Sequence, residues 1–465
     1  MNKVFRIIWS AVKDKWIVVS EKSSAKGAPL FTIGGIISLA ALMAMSSPAM
    51  ALDAGALPTG GQVASGSATI STSGTQMTVN QSSQQLIANW STFNIGQDAS
   101  VNFAQPNSTS VALNRIADQN PSQILGTLTA NGNLMLVNRA GVMFGKTATV
   151  NVGGLIASSL DISDSDFLAG NYRFTNAGTA GAVVNEGSIT ANGGVVAMIA
   201  PQVVNNGTIS ASSGSVAMMA GDQVSVQFLG DGMISYTVDK GTIDALVENN
   251  SLIQADGGLV VMTAKAADAL MKSVVNQTGI VQATGMKADG GRIILDADGG
   301  QVNVSGTLDA SSAAGNGGSV VVTGDNVLVQ SGANITASGA TGGGEVLVGG
   351  GYQGHNADVR NAQNVTVESG STITADATDN GNGGTVVLWS ELATAFAGSI
   401  SAQGGPNGGN GGFAEVSSRQ YLDYTGFASL LAPQGDVGTL LLDPHSIAIV
   451  GSGTSTPAAD YSYLT

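Results

Sequence analysis

The chain has 465 residues, a formal net charge of −15, no cysteine, 43% apolar residues and only 11% charged ones. Clustered Lys and Arg are missing beyond the first 30 residues, so a phosphate backbone could not be neutralised and nucleic acid is excluded as a partner. Zero cysteine excludes a disulfide framework and a thiolate metal site, and regularly spaced Val, Ile, Leu and Ala exclude wholesale disorder.

Residues 1–51 read as an export signal. LFTIGGIISLAALMAM, residues 30–45, is an apolar run of 16, shorter than the ~20 residues a membrane span needs. SSPAMA follows, with Ala49 and Ala51 as the small residues of a signal-peptidase site. Cleavage is therefore placed after Ala51, and Leu52 opens the mature chain. Upstream lies an added stretch, MNKVFRIIWSAVKDKWIVVSEKSSAKG, with Trp9, Trp16 and six Lys or Arg. Removing residues 1–51 takes six basic and two acidic residues from totals of 17 and 32, which leaves 11 and 30 and a net charge of −19.

Residues 52–90 contain alternating stretches such as GSATISTSGTQMTVNQ and predict an N-terminal β cap over an edge that would otherwise pair with other chains. Residues 90–162 are dense in turn formers between short apolar runs. In order come Phe93-Asn94, Val101-Asn102-Phe103, Gln105-Pro106, Asn114-Arg115, Asn120-Pro121-Ser122, Gly126, Asn131-Gly132, Asn138, Gly141, Phe144-Gly145 and Val152-Gly153-Gly154-Leu155.

From Gly187 a phrase recurs: Gly, a small hydroxyl residue, a β-branched residue, Ala, a Gly-rich bend and an apolar run. It reads GSITANGGVVAMIA at Gly187, GTISASSGSVAMMA at Gly207 and GTLDASSAAGNGGSVVVTG at Gly306. It returns at Gly370 and Gly398, with looser copies at Leu252, Ile280 and Ala333. Most intervals are 20 to 30 residues, with wider ones at two interruptions. That period marks a solenoid, and short apolar runs bounded by Gly make its units strands rather than helices. The fold class is all-β: a right-handed parallel β-helix of roughly 15 to 19 coils, about 80 Å long at ~4.8 Å per coil. Asn185, Asn205, Asn249 and Asn276 each close an apolar or polar pair before a turn and predict a structural Asn ladder from coil to coil.

Excursions from the coils are expected at three places. Asp222–Val238 alternates on each side of Gly230-Asp231-Gly232 and predicts a hairpin. Phe167–Phe174, around Gly170-Asn171, predicts a second. KAADALMKSVV, residues 265–275, has the spacing of a short helix. The chain ends in LLLDPHSIAIVGSGTSTPAADYSYLT, which reads as a polar linker or a truncated end.

The ordered residues of 90–162, with the long signal, resemble the secretion domain of two-partner secretion exoproteins, the filamentous-haemagglutinin family. The N-terminal stretch resembles the extended signal peptide of type V secretion substrates. The resemblance implies residues 1–51 as cleaved signal, 52–300 as secretion domain, 301–440 as continuing β-helix and 441–465 as linker. It implies recognition by the periplasmic modules of a cognate outer-membrane β-barrel transporter, export unfolded and folding outside. Carried onto this chain, recognition falls on Asn114, Arg115, Asn120, Pro121, Asn138, Gly141, Phe144 and Gly145. The chain departs from the family's frequent NPNGI, having Asn138-Arg139-Ala140-Gly141-Val142, and has no clear copy of the companion NPNL.

The product read from this is a secreted or surface-exposed adhesin-like exoprotein that meets a host-cell or neighbouring-cell receptor or glycan. The alternatives are the stalk of a contact-dependent toxin and a β-helix polysaccharide enzyme. The enzyme would need clustered carboxylates. The candidates are Asp296 with Asp298 and Asp376 with Asp379, all beside Gly-rich corners where Asp is a common turn former. His355 and His445 lack a third ligand. No catalytic residue, metal or cofactor is expected.

Overall fold

The computed structural model describes residues 5–10, 15–20 and 52–443, apart from 231, 268–272 and 286–289. Ala49, Ala51, the apolar run 30–45, His445 and the centre of the expected helix at 265–275 lie outside the described residues. Residues 1–51 and those from Leu52 onward form two separate units. In the first, Phe5–Ser10 and Lys15–Ser20 pair antiparallel, with Trp9 opposite Trp16.

The second unit is a parallel β-helix with three faces. One face is a 14-stranded sheet. Its residues stack in register as Val101, Leu128, Val150, Ile189, Ile209, Ile253, Val281, Leu308, Ile335, Ile373 and Ile400. These are the β-branched or Leu positions of the repeated phrase, each at most 1% exposed, and their neighbours on either side, most often Ser or Thr, point outward. A 23-stranded sheet holds the other two faces. They are distinct ladders that merge where Arg292–Val304 and Ser319–Val329 each turn the corner as one strand.

The 14-stranded sheet has one antiparallel member, Ala68–Ser73, and so thirteen parallel rungs. The rod is about 60 Å long at ~4.8 Å per rung, shorter than the ~80 Å expected from the repeat period. The difference lies in three long intervals, Val150–Ile189, Ile209–Ile253 and Ile335–Ile373, which hold excursions rather than coils.

A second column explains the Gly-rich bend. Gly194, Gly214, Gly258, Gly291, Gly318 and Gly344 stack at one corner and continue through Gly384, Gly412 and Gly438. A Cβ built on any of them would lie 1.7–2.3 Å from the carbonyl oxygen of the preceding coil's glycine. That oxygen accepts the next strand's first N–H, as when Ser215 N donates to Gly194 O at 3.0 Å. Corner and ladder therefore compete for the same space, and only glycine fits.

The expected cap is present. Gln62–Ser65 lies antiparallel on Gln85–Trp90, and Ala68–Ser73 on Gln76–Gln81, so both first-coil edges are covered.

The buried amide ladder runs through Asn185, Asn205 and Asn249, and here the register corrects the expectation. Asn185 Nδ2 donates to Asn205 Oδ1 at 2.8 Å and Asn205 Nδ2 to Asn249 Oδ1 at 2.7 Å. The fourth member is Gln277, whose Oε1 accepts from Asn249 Nδ2 at 2.8 Å. Asn276 pairs with Glu248 and points outward, where its Oδ1 accepts from Asn303. Val275 is the inward residue of that strand, so alternation sends Asn276 out and Gln277 in.

The excursions form a second layer. The expected hairpin is seen as Gln223–Gly230 against Met233–Lys240. The one at Phe167–Phe174 is not: Asp164–Ala169 is a helix, Ser163 caps it by accepting Asp166 N, and Gly170 ends it at φ +75°. The chain then enters strand Tyr172–Thr175, which joins the hairpin in a three-stranded antiparallel sheet. A helix over 265–275 also fails in its described parts, since Leu259–Lys265 and Ser273–Gln277 are strands held in the coil ladders.

The three-stranded sheet and the helix cover one outer face of the rod. Phe167, Phe174, Val224, Val226 and Ile234 pack against Met135, Ile156, Ala197, Ala217 and Val261. Strands such as VVAMIA and SVAMMA are thus buried on both sides, which is why they read as continuous apolar runs. A third excursion, residues 349–361, was not foreseen. It places Val359 over Val321, Leu347 and Val387 beside Trp389.

Candidate transporter-recognition corner

Consecutive coils place Asn120-Pro121-Ser122 beside Asn138–Val142, with Ser122 paired to Val142. Asn138 is fully buried and ties the two together. Its Nδ2 donates to Asn120 O and Ser122 Oγ, both at 3.0 Å, and its Oδ1 accepts Ala140 N at 3.0 Å. Gly141 closes the turn at φ +114°, and a Cβ there would lie 2.5 Å from Ala182 O. Phe144 is buried in the core, and a Cβ at Gly145 would strike the Leu125 side chain at 2.4 Å.

Asn114 and Arg115 lie on the coil of Asn120, one before that of Asn138, and point opposite ways. Asn114 is buried and accepts Trp90 Nε1 at 3.0 Å. Arg115 faces out and clamps the first excursion: Nε donates to Asp161 at 3.0 Å, Nη1 to Asp164 at 2.8 Å and Nη2 to Ile162 O at 2.6 Å. Partial burial opposes its charge, but hydrogen bonds to Asp164 and Asp161 outweigh that, and its pKa is raised.

Of the eight family-derived residues, Asn114, Asn138, Gly141, Phe144 and Gly145 are therefore internal and shape the corner from behind. Asn120 and Pro121 are exposed, and Arg115 is half-buried and engaged by the excursion. Arg139 is exposed alongside, with Nη2 donating to Ala177 O at 2.9 Å. The sequence reading missed Asp161 and Asp164 as Arg115's partners, although Ser163-Asp164-Ser165-Asp166 before an apolar pair is a legible helix start.

The carboxylates weighed for catalysis have structural partners. Asp296 and Asp298 project from strand Arg292–Val304 and both receive Arg360, Asp298 at 3.1 Å, while Lys265 adds a contact to Asp298 at 3.5 Å. Asp376 Oδ1 accepts Ser401 Oγ and Gln403 N, each at 2.7 Å, and Asp379 Oδ1 accepts Asn407 Nδ2 at 2.6 Å. Both are coil-to-coil ties at corners. Among the described residues no group of three or more His, Asp or Glu is placed to hold a metal ion.

Burial pushes the Asp296 carboxyl up to about 6, against the pull of Arg360 and with help from Asp298. Its folded value lies above its unfolded one, so the folded state binds more protons between about pH 4 and 6. This group's contribution to stability is then greatest at low pH and is lost as pH rises through about 6. Calorimetry from pH 4.5 to 7.5 should show a melting temperature that declines more in the wild type than in Asp296→Asn. Parallel curves would contradict the assignment.

A family model described as TPS secretion domain matches residues 54–310. One described as Extended Signal Peptide of Type V secretion system matches residues 1–49. Two heme/hemopexin-binding proteins of Haemophilus influenzae are similar. One is 31% identical over 255 residues, 53% of this chain and 28% of that protein. The other is 36% identical over 253 residues, 50% of this chain and 27% of that protein. The match thus spans under a third of the length of these curated relatives. The crystal structure of the HMW1 secretion domain from Haemophilus influenzae is similar with a TM-score of 0.72 and 30% identity, covering 82% of this chain and 100% of that one. The chain belongs to the family with a TPS secretion domain, and it is an exoprotein sent across the inner membrane by its signal and out through a partner transporter in the outer membrane.

Proposed function

We propose that this exoprotein is adhesin-like, and that its corner at Asn120-Pro121, with Arg139 beside it, is what the transporter's periplasmic modules read. The observation that carries the reading is the division of labour among the motif residues. Asn138 and Gly141 hold a two-coil corner from behind, and its polar tip stays in solvent. Beyond it the rod supplies length, as a device for presenting a distant surface would. A second reading, favoured by the names of the two curated relatives, is capture of haem or hemopexin.

The test is export with and without the partner transporter. Deleting residues 90–162 should abolish release into the medium, and deleting 330–465 should leave it intact. The combination Asn120→Ala, Pro121→Ala and Arg139→Glu should lower release at least about tenfold while the purified chain melts as the wild type does, because it changes exposed side chains. Transporter-independent release would refute the reading. Hemopexin retained by the exported chain, with no attachment to cells, would favour the second.

A further inference from the structure

The third excursion lies outside residues 54–310, and its centre is strained. Gln353, inside the 3-10 turn Tyr352–Gly354, has φ +50°, a left-handed value unfavourable for a non-glycine residue and recurrent at ligand clamps. Its backbone N–H donates to both oxygens of Glu415, at 3.2 and 3.1 Å. Glu415 is wholly inaccessible to solvent, no ion pair reaches it among the described residues, and burial pushes its carboxyl up.

Between this turn and the coils is a cavity of about 470 Å³, lined by Gln353, His355, Trp389, Glu391, Arg419 and Asp443. Its polar groups alternate in kind. Arg419 Nη1 donates to Glu391 Oε2 at 3.2 Å, and Gln353 Nε2 donates to Asp443 Oδ2 at 3.2 Å. Arg419 is largely exposed and keeps further N–H donors. Asn361 ties the excursion to Glu391, its Nδ2 donating to Gly354 O at 2.9 Å and Glu391 Oε1 at 3.4 Å.

Charge narrows the ligand. Glu391, Asp443 and the buried Glu415 outnumber the one guanidinium, which disfavours a carboxylate, sulfate or phosphate. The walls hold too few apolar groups for a hydrophobic molecule. Donors and acceptors brought together at one opening suit a compound whose edges are hydroxyls, each able to donate and accept.

We propose that this cavity binds one neutral or amino sugar of a surface glycan, with Arg419 donating to its hydroxyls and Glu391 and Asp443 accepting from them. The biological source of that sugar rests on the adhesin-like reading.

The exported full chain is titrated with the methyl glycosides of glucose, galactose, mannose and N-acetylglucosamine, with glucosamine, and with sialyllactose as the anionic probe. Calorimetry and tryptophan fluorescence report binding. At least one neutral or amino sugar should bind in the millimolar range. Arg419→Gln and Glu391→Gln should each weaken it at least about tenfold with unchanged export and melting, as expected for losing a charge-assisted hydrogen bond. No binding by any neutral or amino sugar, binding indifferent to both substitutions, or preference for sialyllactose overturns the proposal. Cell attachment measured alongside separates the two readings. Attachment without sugar binding overturns the cavity assignment alone, and sugar binding without attachment overturns the adhesin-like reading alone.

Discussion

Replacing Gly214 with alanine is expected to destabilise the rod by on the order of 3 kcal/mol, a large effect for one methyl group. That carbon would stand 2.0 Å from Gly194 O and 3.0 Å from the Gly194 carbonyl carbon and nitrogen. All three are backbone atoms, so no rotamer relieves the clash, and moving them breaks the ladder bond from Ser215 N to Gly194 O. Gly257 is the control. It also sits in a corner, at φ +70°, but nothing lies within 4 Å of its Cβ direction. Gly257→Asn should therefore cost less than about 1 kcal/mol, since Asn tolerates that conformation. Hydrogen exchange gives the spatial pattern. Protection should fall in Val195–Ala200, Ser215–Ala220 and Leu259–Lys265 and persist in coils beyond residue 370, because solenoid stability is built from nearest-neighbour terms. Equal stability of the Gly214→Ala and Gly257→Asn variants would show that the column does not constrain the corner.

Asn205→Ala should cost about 2–4 kcal/mol, because it strands buried groups on both sides. Asn185 Nδ2 would lose its 2.8 Å acceptor and keep only contacts of 3.4 Å to Gly187 O and Thr208 O. Asn249 Oδ1 would lose its 2.7 Å donor and keep Ser251 N at 3.4 Å. Neither coil can bring in water without opening the core. Thr129→Ala, on the outer face of the 14-stranded sheet, should change stability by less than about 0.5 kcal/mol. Urea unfolding of the two variants makes the comparison. Similar midpoints would mean that the amide ladder contributes nothing beyond its neighbours' packing.

Much of the fold is legible because each repeat writes its own geometry. In GSIT and GTIS the β-branched residue between two hydroxyls marks the inward position, and the following Ala, as at Ala191 and Ala211, is a fully buried corner residue. The hairpin around Gly230-Asp231-Gly232 carries its turn in its sequence. The helix Asp164–Ala169 was legible too, in Ser163, Asp166 and Gly170, but the Gly-Asn pair at 170–171 competes with it as a hairpin signal. The Asn276 error has a different origin. VVN occurs at both 183–185 and 274–276, yet the coil enters the second one residue out of step. Burial of Val275 rather than Val274 decides which amide turns inward.

The candidate site is half legible. The residue types of the corner, Asn, Pro and Gly in fixed order, are visible in the chain, but which of them face solvent is not. Asn120 and Asn138 look equivalent in sequence. Stacking buries Asn138 against Ser122 and leaves Asn120 at the tip. The cavity beside Trp389 was invisible, since it joins residues from 353 to 443 on different coils.

By itself the sequence determined the period, the strand character, the export address and the capped N-terminal edge, because these depend on neighbours along the chain and on alternation within a strand. Only the tertiary structure decided which apolar runs are covered on their outer side, which amides form the ladder and which motif residues remain exposed. Those outcomes depend on the register between coils and on excursions folding back across several rungs. A shift of one residue there reverses inside and outside while leaving the local pattern unchanged.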